Sequence, residues 1–229
     1  MPWDTSKFSK HSRKVALCCD TPGFKTDSEV LKGLTIAADA LSNVGFEVHE
    51  VSPPLLEETA KEGYSALLGE VSGLLGDDIQ KYGSKKIQMI FDEYFRQFEP
   101  YEGRKLLTAM ANRTRYAREW SLFMDEYPLI ISNLIPTTFF YPDRDAEGAA
   151  GVTEVLGAAL WSYSVNFIGH PAGIVPTHIS YTKTGATPIG IQIIGQRWRE
   201  DTVVSALIAI EKHCGTIYEK LWKQLGWLN

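Results

Sequence analysis

Apolar and polar positions in the first fifty residues follow the periods of a strand, a helix and a second strand. Residues 15–19 form a compact apolar run that ends at a turn cluster, which predicts a buried strand. Residues 26–29 have the spacing of a capping box, residues 30–44 carry apolar side chains at helical spacing, and Gly45 stands where a left-handed C-cap is expected. Residues 46–51 alternate apolar and polar. This order predicts two parallel strands with the helix on one face of the sheet.

The central part of the chain has a helical pattern throughout. This segment covers residues 55–127, with predicted breaks near residues 76–78, 82–84 and 99–103. The clearest helix covers residues 104–124, where apolar side chains recur on one broad face.

Strands and helices alternate over the last hundred residues. The predicted elements are a strand over residues 128–135, a helix over 150–165, strands over 173–179 and 188–195, and a helix over 202–214. Residues 181–187 predict an irregular hairpin loop, and Asp201 is placed to cap the last helix.

These elements predict an α/β fold, a mixed β-sheet flanked by helices. We expect a single α/β domain over residues 1–229. Its expected segments are an extended arm (1–13), a βαβ unit (14–54), a helical segment (55–127) and a segment of strands and helices (128–229).

Composition narrows the class of protein. Hydrophobic residues make up 44% and charged residues 22% of the chain, which is typical of a globular protein. The net charge of -5 gives no reason to expect a nucleic-acid partner, because phosphate binding needs clustered basic residues. The apolar runs are too short to span a membrane, no signal peptide is apparent, and three cysteines do not make a disulfide framework. We therefore expect a cytoplasmic protein without membrane contact.

Two blocks near the C-terminal end resemble the signature of a known family. They are NFIGHPAGIVP at residues 166–176 and TPIGIQIIGQRWRED at residues 187–201. Their pattern is similar to the C-terminal signature of the amidase family, in which an Asn-x-x-Gly-x-Pro strand pairs with a Pro-x-Gly-x-Gln-x-x-Gly strand. Weaker similarities occur at residues 127–137, at residues 15–51 and at the Pro-Trp pair of residues 2–3. The resemblance implies the C-terminal part of the amidase-signature fold and hydrolysis of an amide C–N bond to a carboxylate and ammonia or an amine, with no cofactor.

The catalytic residues that the resemblance implies cannot be placed in this sequence. Family members resemble one another in a serine nucleophile, a second serine and a lysine base, with a Gly-Gly-Ser-Ser loop upstream of the nucleophile. This sequence contains neither a Gly-Gly nor a Ser-Ser pair. Because a serine hydroxyl attacks only when a base takes its proton, we expect a truncated or split amidase that is inactive unless a catalytic half completes it.

Three functional interpretations remain open. In the first, the partner is a catalytic N-terminal amidase half, or the chain associates with itself through an exposed apolar face, and a small amide is a substrate only of the completed enzyme. In the second, the chain is a non-catalytic small-ligand or protein-interaction module derived from an amidase. In the third, it is an independent enzyme that uses a cysteine or a histidine.

The candidate site residues come from the resemblance. It implies that Pro136, Thr137 and Thr138 follow a strand whose end faces the substrate cleft, although these residues also fit a simple strand terminator. His170 lies between Gly169 and Pro171, where it either borders the site or only shapes a turn. We expect these four residues to contact substrate and expect no metal site.

Other side chains are candidates for structural roles. Cys18 and Cys19 lie in an apolar strand, where buried thiols are usually inert. His49, His178 and His213 lack the spacing of zinc ligands. The acidic group Asp143, Asp145 and Glu147 fits either a cation site or a solvated loop.

Overall fold

The computed structural model of the chain describes residues 13–182 and 185–228. Its strands are β1 (Lys14–Cys18), β2 (Glu47–Glu50), β3 (Leu129–Asn133), β4 (Ala172–Thr182) and β5 (Gly185–Gly195). Its helices are α1 (Ser28–Asn43), α2 (Leu56–Tyr82), α3 (Lys85–Gln97), α4 (Gly103–Glu126), α5 (Gly148–Gly157), α6 (Leu160–Ile168), α7 (Glu200–Cys214) and α8 (Ile217–Gln224), with a 3-10 turn at Arg144–Ala146. Apart from Arg13, the expected extended arm and its Pro-Trp pair lie outside the described residues.

Chain contacts divide the protein into two compact units. The first contains the residues up to Pro54, Trp120–Phe139 and the residues from Gly169 on, and the second contains Leu55–Glu119 and Phe140–Ile168. The boundary between Glu119 and Trp120 falls within helix α4. The single domain expected from the sequence stays a prediction.

The first unit is built on a mixed sheet, which confirms the predicted fold class. In the described residues the strand order is β2-β1-β3-β5-β4, with β1 parallel to β2 and β3, and with β5 antiparallel to β3 and β4. The predicted βαβ unit is present, and Gly45, at a φ of 91°, ends α1 as expected. The sheet therefore brings the carboxyl ends of β1 and β3 together at one edge.

Helices α1 and α7 cover one face of this sheet. The buried apolar side chains of that face form one core, which includes Val15, Leu34, Leu129, Ile191 and Ile210. Helix α1 lies so close that a Cβ atom at Gly33 would be 2.9 Å from Thr177 Oγ1 and 3.0 Å from Ile191 Cδ1. Only glycine fits at this crossing.

The second unit is helical in its described residues and centres on aromatic side chains. The ring of Tyr64 lies 4.7 Å from that of Phe98 and 4.1 Å from that of Tyr163. The Glu62 carboxylate accepts hydrogen bonds from Asn112 and from the Tyr116 hydroxyl, which tie α2 to α4.

Several predicted element boundaries are wrong. Helix α2 continues through the break expected at residues 76–78, and the helix expected over 150–165 is interrupted between Gly157 and Leu160. The hairpin loop expected over 181–187 is instead mostly paired strand, because β4 and β5 stay in register out to Thr182 opposite Gly185. The antiparallel ladder continues where turn-forming residues indicate a loop.

The N-termini of two helices also differ from expectation. The hydroxyl of Thr26 donates to the carbonyl of Cys19 instead of capping α1, so the predicted capping box does not form. Helix α7 begins one residue before Asp201, whose carboxylate accepts from the Arg199 guanidinium and does not cap the helix.

Candidate functional site

The loops that follow β1 and β3 are bonded to each other at the carboxyl edge of the sheet. The backbone N–H of Asp27 donates to the carbonyl of Pro136 at 2.8 Å. The backbone N–H of Thr138 donates in return to the Asp27 carboxylate at 3.1 Å. Asp27 thus fixes the Pro136–Thr138 segment from both ends. In open α/β sheets, ligands bind in the crevice outside the carboxyl ends of the strands, which makes this edge the candidate site.

An open groove of about 470 Å³ lies along this edge. Its lining includes Asp27, Ser28, Glu29 and Lys32 at the start of α1, Thr138 after β3, and Ser180 and Tyr181 at the far end of β4. Because the Asp27 side chain is turned to Thr138, it makes no capping bond to α1. The N-terminal end of α1 therefore faces the groove with its backbone dipole uncapped by that side chain.

A hydrogen bond joins the first turn of α1 to β4 beside the groove. His178 Nε2 lies 3.1 Å from the Glu29 carboxylate, and His178 Nδ1 lies 3.2 Å from the hydroxyl of Thr177. The register of β4 against β5 shifts between Pro176 and His178, so the strand has a β-bulge or similar irregularity at this point. This contact connects α1 to β4, and both ring nitrogens of His178 lie within hydrogen-bonding distance of a partner.

Two buried polar atoms at this edge have no hydrogen-bond partner in the described residues. They are Asn133 Nδ2 and Thr137 Oγ1. Asn133 is fully buried, and its Oδ1 accepts from the Thr21 hydroxyl at 3.0 Å. An unsatisfied buried donor costs about 1–3 kcal/mol, so native proteins rarely keep one without a use. The amide N–H of Asn133 and the hydroxyl of Thr137 are thus unused within the described residues, and both atoms lie beneath the surface, beside but not in the lining of the groove.

A buried polar pair lies next to them in the sheet. Ser132 pairs with Cys18 on one side and with Gln192 on the other, and the Gln192 amide lies 3.4 Å from the Ser132 hydroxyl. Both side chains are buried, which makes them structural partners of each other in this chain.

His170 lies at the other end of β3 from Pro136, Thr137 and Thr138. Its Nδ1–H donates to the carbonyl of Gly195, which is in register with Leu129, the first residue of β3. The length of β3 separates the two places by about 13 Å. Burial lowers the pKa of His170, and its Nε2 has no partner in the described residues. The structure therefore brings three of the four candidate residues together and places His170 elsewhere.

The cysteines are shielded. Burial raises the pKa of the Cys18 thiol to about 12, and Cys18 Sγ donates to the carbonyl of Val51. Burial also raises the pKa of Cys19. Since the thiolate is the reactive form, iodoacetamide at pH 8 should alkylate Cys18 more than about tenfold more slowly in the native protein than in urea. Peptide mapping by mass spectrometry checks this, and rapid native labelling would instead support an enzyme that uses a cysteine.

The acidic loop of the second unit is paired with basic side chains. Asp143 contacts Lys86 at 2.7 Å, Asp145 accepts from the Tyr94 hydroxyl, and Arg144 bonds both Glu147 and Glu154. Between residues 13 and 228, leaving out 183–184, no three His, Cys, Asp or Glu side chains lie close enough together to hold a metal ion.

Comparison with known proteins identifies the family. The sequence profile of the family described as Amidase matches residues 3–204. The chain belongs to the amidase family.

Individual relatives agree with this amidase assignment. The chain is 27% identical over 213 residues to indoleacetamide hydrolase of Bradyrhizobium japonicum, a match that covers 93% of this chain and 45% of the relative. It is 29% identical over 211 residues to fatty acid amide hydrolase of Medicago truncatula, covering 89% and 34%. The solved structure of 6-aminohexanoate cyclic dimer hydrolase has the same fold, with a TM-score of 0.69 at 18% identity, covering 91% of this chain and 46% of that one.

This amidase chain spans less than half the length of the relatives that it matches. The described residues contain no helix that is long and apolar enough to cross a membrane. The amidase signature indicates the loop after β3 but not Asp27 or Asn133, and substrate contact by Pro136, Thr137 and Thr138 stays a prediction. Asn133 lies inside a motif that resembles the family, and Asp27 fits the spacing of a helix cap.

Proposed function

We propose that this chain is the substrate-facing part of an amidase. In the proposed enzyme it acts with a catalytic segment to hydrolyse an amide C–N bond to a carboxylate and ammonia or an amine. That segment would supply the serine nucleophile and the lysine base, either within the same polypeptide or from a partner. The observation that carries the proposal is the pair of buried polar groups without a partner in the described residues, Asn133 Nδ2 and Thr137 Oγ1, at the carboxyl edge of the sheet.

These two groups suit recognition of an amide. The Asn133 N–H can donate only to an acceptor such as a carbonyl oxygen, whereas the Thr137 hydroxyl can donate to that oxygen or accept from an amide N–H. Both are held by a rigid frame, since Thr21 fixes the amide of Asn133 and Asp27 fixes the backbone on either side of Thr137. Rigid donors bind a substrate without reorganising first.

The groove does not supply the missing nucleophile and base. Ser28, Ser180 and Lys32 all line it, yet no hydrogen bond in the described part of the chain joins Lys32 to either serine. Lys32 is exposed to solvent, and a lysine acts as a base when desolvation makes it neutral. The activated serine must therefore come from the catalytic segment.

Each unit, taken by itself, exposes large apolar side chains that a partner or a further segment can contact. In the first unit, Trp198 is 87% exposed and has a φ of 64°, an unusual backbone conformation for a bulky residue. In the second unit, Leu74 and Leu107 are 80% and 72% exposed. Exposed aromatic anchors are typical of interfaces, and another relative, from Desulforapulum autotrophicum, is named as a subunit of glutamyl-tRNA(Gln) amidotransferase.

The test is co-expression of this chain with the catalytic N-terminal half of a related amidase. We expect the two to co-purify and to release ammonia from a simple carboxamide, while each part alone releases none above background. The matched control is the same pair with the catalytic serine of the N-terminal half replaced by alanine, which should associate without releasing ammonia. If the two parts neither associate nor hydrolyse any amide, the proposed function is wrong.

The alternative function is a non-catalytic module that binds a small ligand or a protein. It is favoured by the closed core of the first unit, in which Leu34, Leu129 and Ile193 are fully buried without any second chain. Such a module should elute as one monodisperse species and melt cooperatively on its own. Aggregation of the isolated chain, or solubility only with a catalytic half, would count against it.

A further inference from the structure

A second cavity, of about 360 Å³, lies in the first unit away from the candidate site. It shares no lining residue with the groove at the carboxyl edge. Arg13, one of its lining residues, directly precedes β1, and the Arg13 carbonyl accepts from the N–H of Glu47 at the start of β2. The cavity is therefore at the amino end of these parallel strands.

The floor of this cavity is apolar and partly open to solvent. Val44 and Phe46 come from the turn that ends α1, and Ile208 and Ala209 come from α7. Val44 is 54% exposed and Ile208 is 37% exposed. Because residues 208, 209 and 212 share one face of a helix, the side chain of Lys212 stands beside the apolar floor.

The rim of the cavity is basic. Among the described residues that line it, Arg13 and Lys212 are charged and none is acidic. Neither cation forms an ion pair with a residue in the described ranges. Gly45 lets the Arg13 side chain approach, since a Cβ there would be 2.9 Å from Arg13 Nη1.

We propose that this cavity binds a small amphiphilic carboxylate. The hydrocarbon part would lie on Val44, Phe46 and Ile208, and the carboxylate would lie between Arg13 and Lys212. The volume falls within the range of about 300–1,000 Å³ that is typical of small-molecule sites, which are mostly apolar with a few polar groups that fix orientation. A guanidinium and an ammonium without an anionic partner select for a carboxylate over a neutral group.

This site is independent of the proposed amide hydrolysis. None of its residues belongs to the carboxyl edge, so binding here does not use the residues of the proposed amide site.

Isothermal titration calorimetry of the full chain with 1-naphthylacetate tests the proposal. The neutral alcohol 2-(1-naphthyl)ethanol, which has the same ring system and no amide group, is the matched ligand control. We expect the carboxylate to bind about tenfold more tightly than the alcohol, and we expect added sodium chloride to remove that preference. Equal binding of the two ligands, or no binding of the carboxylate, would overturn the proposal.

Variants locate the binding site. The double substitution Arg13→Gln and Lys212→Gln should weaken carboxylate binding about tenfold and leave binding of the alcohol unchanged. Lys81→Gln, which removes an exposed lysine of the second unit, should change neither. Ala209→Trp should fill the floor and weaken both ligands. A thermal melt checks that each variant folds. If Ala209→Trp does not fold, the double substitution at Arg13 and Lys212 alone decides the outcome. Unchanged carboxylate binding in the double variant would place the ligand elsewhere.

Discussion

Replacement of Asn133 by aspartate should lower the free energy of unfolding by about 3–5 kcal/mol at pH 7. Asn133 is fully buried, and its Oδ1 accepts a hydrogen bond from the Thr21 hydroxyl. An aspartate would put a charge there without a cation to pair it, so its pKa would be higher in the folded than in the unfolded protein. The variant should therefore be close to normal stability below about pH 4 and lose about 1.4 kcal/mol for each pH unit above it, up to the folded pKa.

Urea unfolding of the wild type and the Asn133→Asp variant at pH 4 and pH 7 measures this difference. The control is Asn133→Leu, which has a similar shape, introduces no charge and should show the same small loss at both pH values. If the aspartate variant were equally stable relative to wild type at both pH values, Asn133 would be in contact with solvent. The edge would then have no dry donor to offer a substrate.

Replacement of Thr137 by valine should lower amide hydrolysis by the completed enzyme about tenfold to hundredfold in kcat/KM. The substitution keeps the shape of the side chain and removes a buried hydroxyl that has no partner within the described residues. For the same reason, the stability of the chain should be unchanged or slightly higher, since an unsatisfied polar atom is lost. Activity and stability should therefore change in opposite directions, which a purely structural role would not produce.

Steady-state kinetics of the co-expressed pair, together with urea unfolding of the chain alone, checks both parts. Thr137→Ser restores a hydroxyl and should recover most of the activity. Thr35→Val is the matched control, because the Thr35 hydroxyl only donates to the Leu31 carbonyl on an exposed face of α1. Normal activity of Thr137→Val would show that this hydroxyl does not face the substrate.

Periodicity predicted those elements of the fold that have one strongly apolar face. The first strand, helix α1 and the long helix α4 all have such a face, and each is present close to its expected range. Boundaries failed where tertiary pairing overrides local preference. The residues around Gly185 suggest a loop, but the β4–β5 ladder continues past Tyr181 because each backbone group gains a partner there. Single residues such as Gly76 do not end a helix whose neighbours continue it.

The candidate site was only partly predictable for a related reason. A motif can indicate that residues 136–138 follow a strand, but it does not say which strand lies beside it. Asp27 became part of the site through the parallel pairing of β1 with β3, which connects distant parts of the sequence. His170 shows the reverse case, since it belongs to the same family signature yet lies at the opposite end of β3.

The paired strands of the sheet differ greatly in their separation along the sequence. Only two residues separate β4 from β5 in the sequence, so their ladder can close within about 10 microseconds. Strand β3 meets β1 only after a loop that contains α2, α3 and α4 has closed, which slows folding through its entropy. During that interval the apolar edge of β3 is open to strands of other nascent chains. We therefore expect loop closure to compete with aggregation while the sheet is forming.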